Sequence, residues 1–450
     1  MSSVDELLAI GDRVVAMAQA NEQVEAVVVR SRDTEIRVYE GEIEQLASAE
    51  ALGVGVRVIS DNRQGFAYAG TFDDDVLAET LAEARDNAGF GTVDESLGLA
   101  EPDGVAVADL DLFREELASF PTDRKVEIAM ALERAARAAD PRVAGIESAD
   151  YADSLAEGAV VSTTGVRTAA RETGCYVTAS VLATEGDETQ TGFWFSVGRE
   201  PGALDVDAAA RGAAARATRL LGATKPSSAR VSVVLDPFVT AQLLGIIAST
   251  MSGEAVLKGR SPFADRLGDS VAAAAVTLVD DPTNPLAFTA TQTDGEGLAT
   301  RRNVLIADGV LQGFLHNTYT ARRLGASSTG SAVRGGFKST PTVGPRAIAL
   351  APGTKSQPEL VADVGEGILV TSVAGLHSGV NPVSGDFSTG AQGLRISGGQ
   401  VGAPLREFTI ASTLQRMLQD VAAVGNDLEW LPMAASGLSL VIHDVTVSGA

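Results

Sequence analysis

EAVVVRSRDTEIRVYEGEIEQLASAEALGVGVRVISDNRQGFAYAG, residues 25–70, alternates apolar and polar residues over most of its length. Side chains two apart share one face of a strand, so this alternation predicts sheet and not helix. Its breaks at Glu40-Gly41, at Gly53-Val54-Gly55 and at residues 62–65 predict a run of short antiparallel strands joined by tight turns. Helical patterns flank it. VDELLAIGDRVVAMAQA (4–20) spaces its apolar residues as an amphipathic helix does, and DDDVLAETLAEARDNA (73–88) opens on acids and repeats apolar residues at i, i+3 and i+4.

The order then recurs. After an irregular connection (98–123), TDRKVEIAMALERAARAAD (122–140) reads as a helix capped by Thr122 or Asp123. Strands follow over 143–197, and DVDAAARGAAARATRLLG (205–222) reads as a further helix. RQGFAYAG (63–70) and TQTGFWFS (189–196) hold equivalent places, which suggests an internal repeat. TKPSSA (224–229) has the composition of a linker. Beyond it come a buried strand VSVVLD (231–236) and a helix 237–256 with Pro237 at its first position. Two hairpins follow, turning at Asp308-Gly309 and Gly398-Gly399, then a helix over 408–425 and a closing strand over 437–449. The expectation is an α+β chain. It divides into an N-terminal α/β meander module (1–100), a middle α/β module (101–227) and a larger β-rich C-terminal domain (228–450).

Composition excludes several functions. The chain has 450 residues, 35 Lys+Arg against 59 Asp+Glu, and a formal charge of −24. Such a surface repels nucleic-acid phosphates and anionic lipid, so neither is expected as a partner. The start of the sequence shows no secretory signal, and no apolar run approaches the length of a membrane span. The one cysteine, Cys175, forbids an internal disulfide, which suits a reducing compartment, so a cytoplasmic location is expected. Cys175 itself reads as an inert mid-strand residue.

Chemistry-bearing motifs are sparse. There is no HExxH, no HExxxH and no G-x-S-x-G. GSAVRGGFKS (330–339) lacks the ending of a phosphate loop and reads as a flexible loop. The histidines 316, 377 and 443 are too far apart in sequence for one helix to present two of them. DGEGLATRRN gathers Asp294, Glu296, Arg301 and Arg302, a set that either holds a peptide carboxylate or forms a surface ion network. HNTYTARRLGASSTGSA (316–332) and HSGVNPVSGDFS (377–388) are polar loops of the kind that bind ligands between buried strands.

These blocks, in the order VVLDP, DGEGLATRRNVLIADGVLQGFL, HNTYTARRLGASSTGSA, NPVSGDFSTGAQGLRISGGQVGAPLREFTIA and VGNDLEW, resemble the TldD/PmbA family. The likeness is greatest to its PmbA (TldE) branch. One branch of that family resembles a zinc peptidase with HExxxH on the first helix of the last domain. Its two kinds of subunit associate and degrade or trim unstructured peptides, and members are linked to peptide-antibiotic maturation, antitoxin turnover and gyrase modulation. Here that helix reads LLGIIAST, so Gly245, Ile246 and Thr250 stand approximately where the two ligands and the general base would be.

The resemblance therefore implies a subunit with no catalytic residue, metal ligand or cofactor of its own. The zinc is expected in a TldD-like partner, and a homodimer is the alternative assembly. Asn317, Tyr319, His377, Ser378, Asn381 and Asp386 are the expected peptide-binding residues. Two alternatives stand beside this reading. One is a stand-alone hydrolase built on His316, His377 and nearby carboxylates. The other is a non-enzymatic, protein-binding regulator of the gyrase-modulator type.

Overall fold

A computed structural model describes residues 3–449. The stretch 25–70 forms three long strands, not a run of short ones: β1 (Gln23–Tyr39), β2 (Glu42–Ser60) and β3 (Arg63–Ala69). Both hairpin turns have two residues with positive φ, Glu40 and Gly41, then Asp61 and Asn62, the geometry that suits the twist of paired strands. The Gly-Val-Gly sequence does not interrupt β2. A Cβ on Gly53 would lie 2.3 Å from the Phe337 ring, and one on Gly55 would lie 2.2 Å from the Phe337 carbonyl oxygen. These glycines let a loop of the C-terminal domain cross directly over the strand.

Helices α1 (Ser3–Ala16) and α2 (Asp74–Phe90) cover one face of these strands, burying Leu7, Ile10 and Val14 of α1 and Leu77 and Leu81 of α2. The second half repeats the plan. After a short α3 (Glu115–Ala118) come α4 (Thr122–Ala138), β4 (Val143–Ser162), β5 (Arg167–Glu185), β6 (Glu188–Gly198) and α5 (Val206–Thr218). The two halves share one six-stranded antiparallel sheet, ordered β3-β2-β1-β4-β5-β6, with β1 against β4 at the junction.

The glycines at equivalent places in RQGFAYAG and TQTGFWFS, Gly65 and Gly192, have one physical cause. A Cβ on Gly65 would meet the backbone of Ala84 and Ala88 at 2.0 and 2.2 Å, and one on Gly192 would meet that of Ala213 and Ala217 at 2.4 Å each. In each half a strand glycine lets the last helix rest its backbone on the sheet.

The C-terminal domain is built on β7 (Ala229–Leu235), followed by α6 (Pro237–Thr250) and α7 (Gly253–Leu257). The expected single helix 237–256 is thus two, because Ser252 adopts extended backbone and caps α7. Short strands β8 (Leu278–Asp280), β9 (Asn303–Ala307) and β10 (Val310–Leu311) follow, with the Asp308-Gly309 turn as expected. Then come α8 (Thr318–Leu324), β11 (Ala332–Val333), β12 (Thr342–Val343), β13 (Ile348–Leu350) and α9 (Gln357–Val364). The chain ends with β14 (Gly367–Ala374), α10 (Leu376–Gly379), β15 (Asp386–Ser397), β16 (Gln400–Thr413), α11 (Leu414–Gln419), β17 (Val421–Val424) and β18 (Leu440–Ser448).

The expected helix 408–425 is a correction: only Leu414–Gln419 is helical. Phe408 and Ile410 are buried two residues apart in β16, so the strand period wins where β15 and β18 both offer pairing edges. The large sheet runs β16-β15-β14-β7-β18-β17, and the additional pairing of β16 with β18 closes its strands on themselves around the largest core.

Candidate functional site

Three places in the fold hold the candidate residues. The first is the face of α6. Phe238 to Thr250 is apolar except for Thr240, Gln242, Ser249 and Thr250, and most of the helix is sunk in the C-terminal core. Gly245 faces open space: beyond its own stretch of helix, no atom of the described residues lies within 4 Å of the position a Cβ would take. Ile246 packs on the core. Thr250 is 1% exposed and donates its hydroxyl to the Ile247 carbonyl at 2.6 Å. Gln242 leaves one buried amide oxygen without a partner. Zinc takes imidazole, thiolate or carboxylate donors, and this helix presents none of them, so the residues present do not fit a zinc ion.

The histidines do not substitute. His316 is buried at the entry to α8, its Nδ1 3.3 Å from Thr320 Oγ1, and burial holds its ring below the usual imidazole pKa. His377 is exposed on α10. His443 lies on β18, with Nδ1 2.8 Å from Ser232 Oγ. Among the described residues no group of three or more His, Cys, Asp or Glu is placed to hold a metal ion. Cys175 is buried in β5, and burial, then Asp153, push its thiol up to about 12.

The second place is a buried charge cluster where the two domains meet. Glu25 of β1 and Arg57 of β2 are direct cross-strand partners, 1% and 5% exposed. Arg57 donates from Nε and Nη2 to the two Glu25 oxygens at 3.1 and 2.8 Å. The C-terminal domain completes the cluster: Arg334 reaches Glu25, and Glu296 Oε1 lies 3.9 Å from Arg57 Nη2. Glu296 Oε2 accepts from the Thr318 amide at 2.9 Å and from its hydroxyl at 2.7 Å, which ties the cluster to the first turn of α8. Burial alone would raise the Glu25 carboxyl; Arg334 and Arg57 outweigh it and hold it below the usual carboxylate range.

Among the described residues no cation pairs with Asp294. Its oxygens accept from the amides of Glu296 (2.9 Å), Leu298 (3.0 Å) and Ala332 (3.1 Å), yet burial and then the nearby Glu296 push it up to about 7. The acids of DGEG are therefore not part of a surface ion network, as one reading of the sequence has it. Their neighbour Arg301 pairs instead with Asp103, and Arg302 is exposed. The loop 330–339 is not free either, since Arg334 anchors it in this cluster and Phe337 lies on Gly53 and Gly55.

Asn317 and Tyr319 belong to the same region. Asn317 is buried and accepts from the Thr320 amide at 2.9 Å as the cap of α8, so its amide oxygen is committed within the chain. Tyr319 donates its hydroxyl to Asp94 at 2.8 Å, and Arg323 stands 3.5 Å from the same carboxylate, joining α8 to the segment after α2.

The third place is the loop from α10 to β15. His377, Ser378, Asn381 and Asp386 are all exposed there. Ser378 donates to the Gly375 carbonyl at 3.2 Å. Asn381 accepts from the Val383 amide at 2.9 Å, and Ser384 donates to Asp386 at 2.6 Å. The structure brings these four together, and among the described residues no hydrogen bond or ion pair joins them to Asn317 and Tyr319. Sequence reasoning missed Glu25, Arg57 and Arg334. The signal available was a charged residue set inside an apolar run on each of two adjacent strands.

Comparison with known proteins gives one consistent result. Family models for PmbA/TldA metallopeptidase domain 1, central domain and C-terminal domain match residues 24–88, 115–221 and 228–449. Metalloprotease PmbA of Escherichia coli O157:H7 is 27% identical over 428 residues, 94% of this chain and 92% of the relative. A Metalloprotease PmbA homolog of Haemophilus influenzae is 26% identical, covering 98% and 95%. The crystal structure of TldE from Thermococcus kodakarensis superposes with a TM-score of 0.89 at 25% identity over 99% of each chain.

Proposed function

Because the chain belongs to the PmbA/TldD metallopeptidase family, we propose that it acts as a TldE-like subunit of a peptidase assembly that degrades or trims unstructured peptides. In this reading it supplies scaffold and peptide contacts, and a TldD-like partner supplies the zinc. The observation that carries the proposal is α6. Gly245, Ile246 and Thr250 give that helix no donor for a catalytic cation and no base to activate water. The exposed loop with His377, Ser378, Asn381 and Asp386 offers the polar side chains that an extended peptide would meet. One buried cysteine suits a cytoplasmic setting.

The test is native mass spectrometry of the complex recovered from cells, with elemental analysis and cleavage of casein by the isolated chain. The expected result is no stoichiometric zinc and no cleavage alone, and a heteromeric mass when a TldD-like chain is present. Stoichiometric zinc on the isolated chain, with cleavage lost on chelation, would overturn the proposal.

A further inference from the structure

A cavity of about 260 Å³ lies between the middle module and the C-terminal domain, bounded by β5, β6 and α5 on one side and by α6, β14 and β15 on the other. Two arginines line it, and they differ. Arg216 is fully engaged: its guanidinium stacks 3.8 Å over the Trp194 ring, Nη1 donates to the Thr371 carbonyl at 3.3 Å, and Nη2 donates to Asp236 at 3.1 Å. Arg219, one turn further on at the end of α5, makes no side-chain hydrogen bond and no ion pair among the described residues, and its Nε is buried. Burial, then the charge of Arg216, hold it below the usual guanidinium range. The carboxylate whose field it feels, Asp236, makes no ion pair with it and accepts through Oδ1 from Arg216 and from the Phe238 amide.

Arg219 is part-exposed and lines the cavity, so a charged donor without an anion stands open to a ligand there, and the dipole at the α5 C-terminus favours its charge. Thr371, at the bulge in β14, also lines the cavity, but its own hydroxyl is enclosed and without a partner. Ser372 and Gln392 add further polar groups, Leu220, Phe193 and Phe238 give apolar wall, and the exposed Glu147 stands at the rim on a bulge of β4.

We propose that this cavity binds the carboxylate of a small amphipathic acid, an α-amino acid or a peptide C-terminus. Arg219 holds the carboxylate, the Phe193–Phe238–Leu220 wall takes the side chain, and Glu147 meets the ammonium or nearest amide. The planar fork of arginine matches a carboxylate. Glu147 and the apolar wall disfavour a dianionic phosphate. The site stands whether or not the chain works beside a metal-bearing subunit.

The test is calorimetric titration of the full chain with L-leucine, Ala-Ala-Leu, leucinamide and inorganic phosphate. Saturable 1:1 binding of leucine or the tripeptide is expected, with none for leucinamide. Leucine alone would name a free amino acid as ligand; the tripeptide alone would name a chain terminus. Arg219→Gln should weaken binding by about tenfold or more, and Arg219→Lys by less. Arg219→Gln should melt no lower than the unaltered chain, since it removes an unpaired charge. No saturable carboxylate binding, phosphate as the sole ligand, or undiminished binding by Arg219→Gln overturns the assignment.

Discussion

Replacing Arg57 with Met removes a cation from the centre of the buried cluster while keeping much of its volume. Among the described residues, Glu25 and Glu296 then share Arg334 as their remaining cation, in a site where Glu25 is 1% exposed. Breaking a buried ion pair by deleting one partner costs about 3–5 kcal/mol, because the other charge stays desolvated. One carboxyl can escape by taking up a proton. Proton uptake is easier at pH 5 than at pH 8, so the loss should be larger at pH 8. Urea denaturation at both pH values measures this, followed by far-UV circular dichroism and by tryptophan fluorescence together. Both tryptophans, Trp194 and Trp430, lie outside the first half of the sheet, so early loss of that half would appear in the dichroism alone. A loss below about 1 kcal/mol, or one equal at the two pH values, refutes the account of Arg57 as the counter-charge of that buried site.

Gly65→Ala and Gly192→Ala should each destabilise by about 1–3 kcal/mol, since their Cβ atoms enter helix backbone; melting curves decide it. Gly245→Ala should do the reverse, adding about 0.5–1 kcal/mol in urea titrations, because its Cβ meets nothing and alanine favours helix. Asp294, raised from 3.8 to about 7, holds a proton that the unfolded chain has released. Its contribution is therefore full below about pH 4 and lost as pH rises through about 7, at up to about 1.4 kcal/mol per pH unit. Asp294→Asn should flatten that slope in stability measured from pH 4 to 8. Tyr319→Phe should cost on the order of 1 kcal/mol through the lost bond to Asp94, seen as a lower urea midpoint.

Most of the architecture is legible in the residues because period and turn chemistry are local. The α1, α2, α4 and α5 spans, and the turns at Glu40-Gly41 and Asp308-Gly309, follow from spacing and positive-φ residues alone. The Gly-Val-Gly stretch misleads, because the reason for its glycines is Phe337, nearly three hundred residues away in sequence. Residues 408–425 mislead for a similar reason: the edges offered by β15 and β18 decide against helix, and no local pattern reports them.

The charge cluster shows the limit most clearly. Counting back from the Glu40-Gly41 turn pairs Glu25 with Val56, and only the bulge between Arg37 and Val38 shifts the register so that Arg57 stands opposite. Nothing in the sequence announces that bulge. The α6 helix is the converse case, since the absence of donors at Gly245 and Ile246 is read directly from the letters.

The place of β1 in the middle of its sheet sets a condition on how the chain is made. Its partner β2 follows at once, but β4 is finished only about 120 residues after β1 ends. At 5–20 residues per second, the far flank of β1 waits about 6–25 s with its amides and carbonyls paired to no strand. A nascent strand as apolar as AVVV is a ready template for other chains during that interval. The interval before β4 emerges is therefore when β1 is open to pairing with the wrong strand.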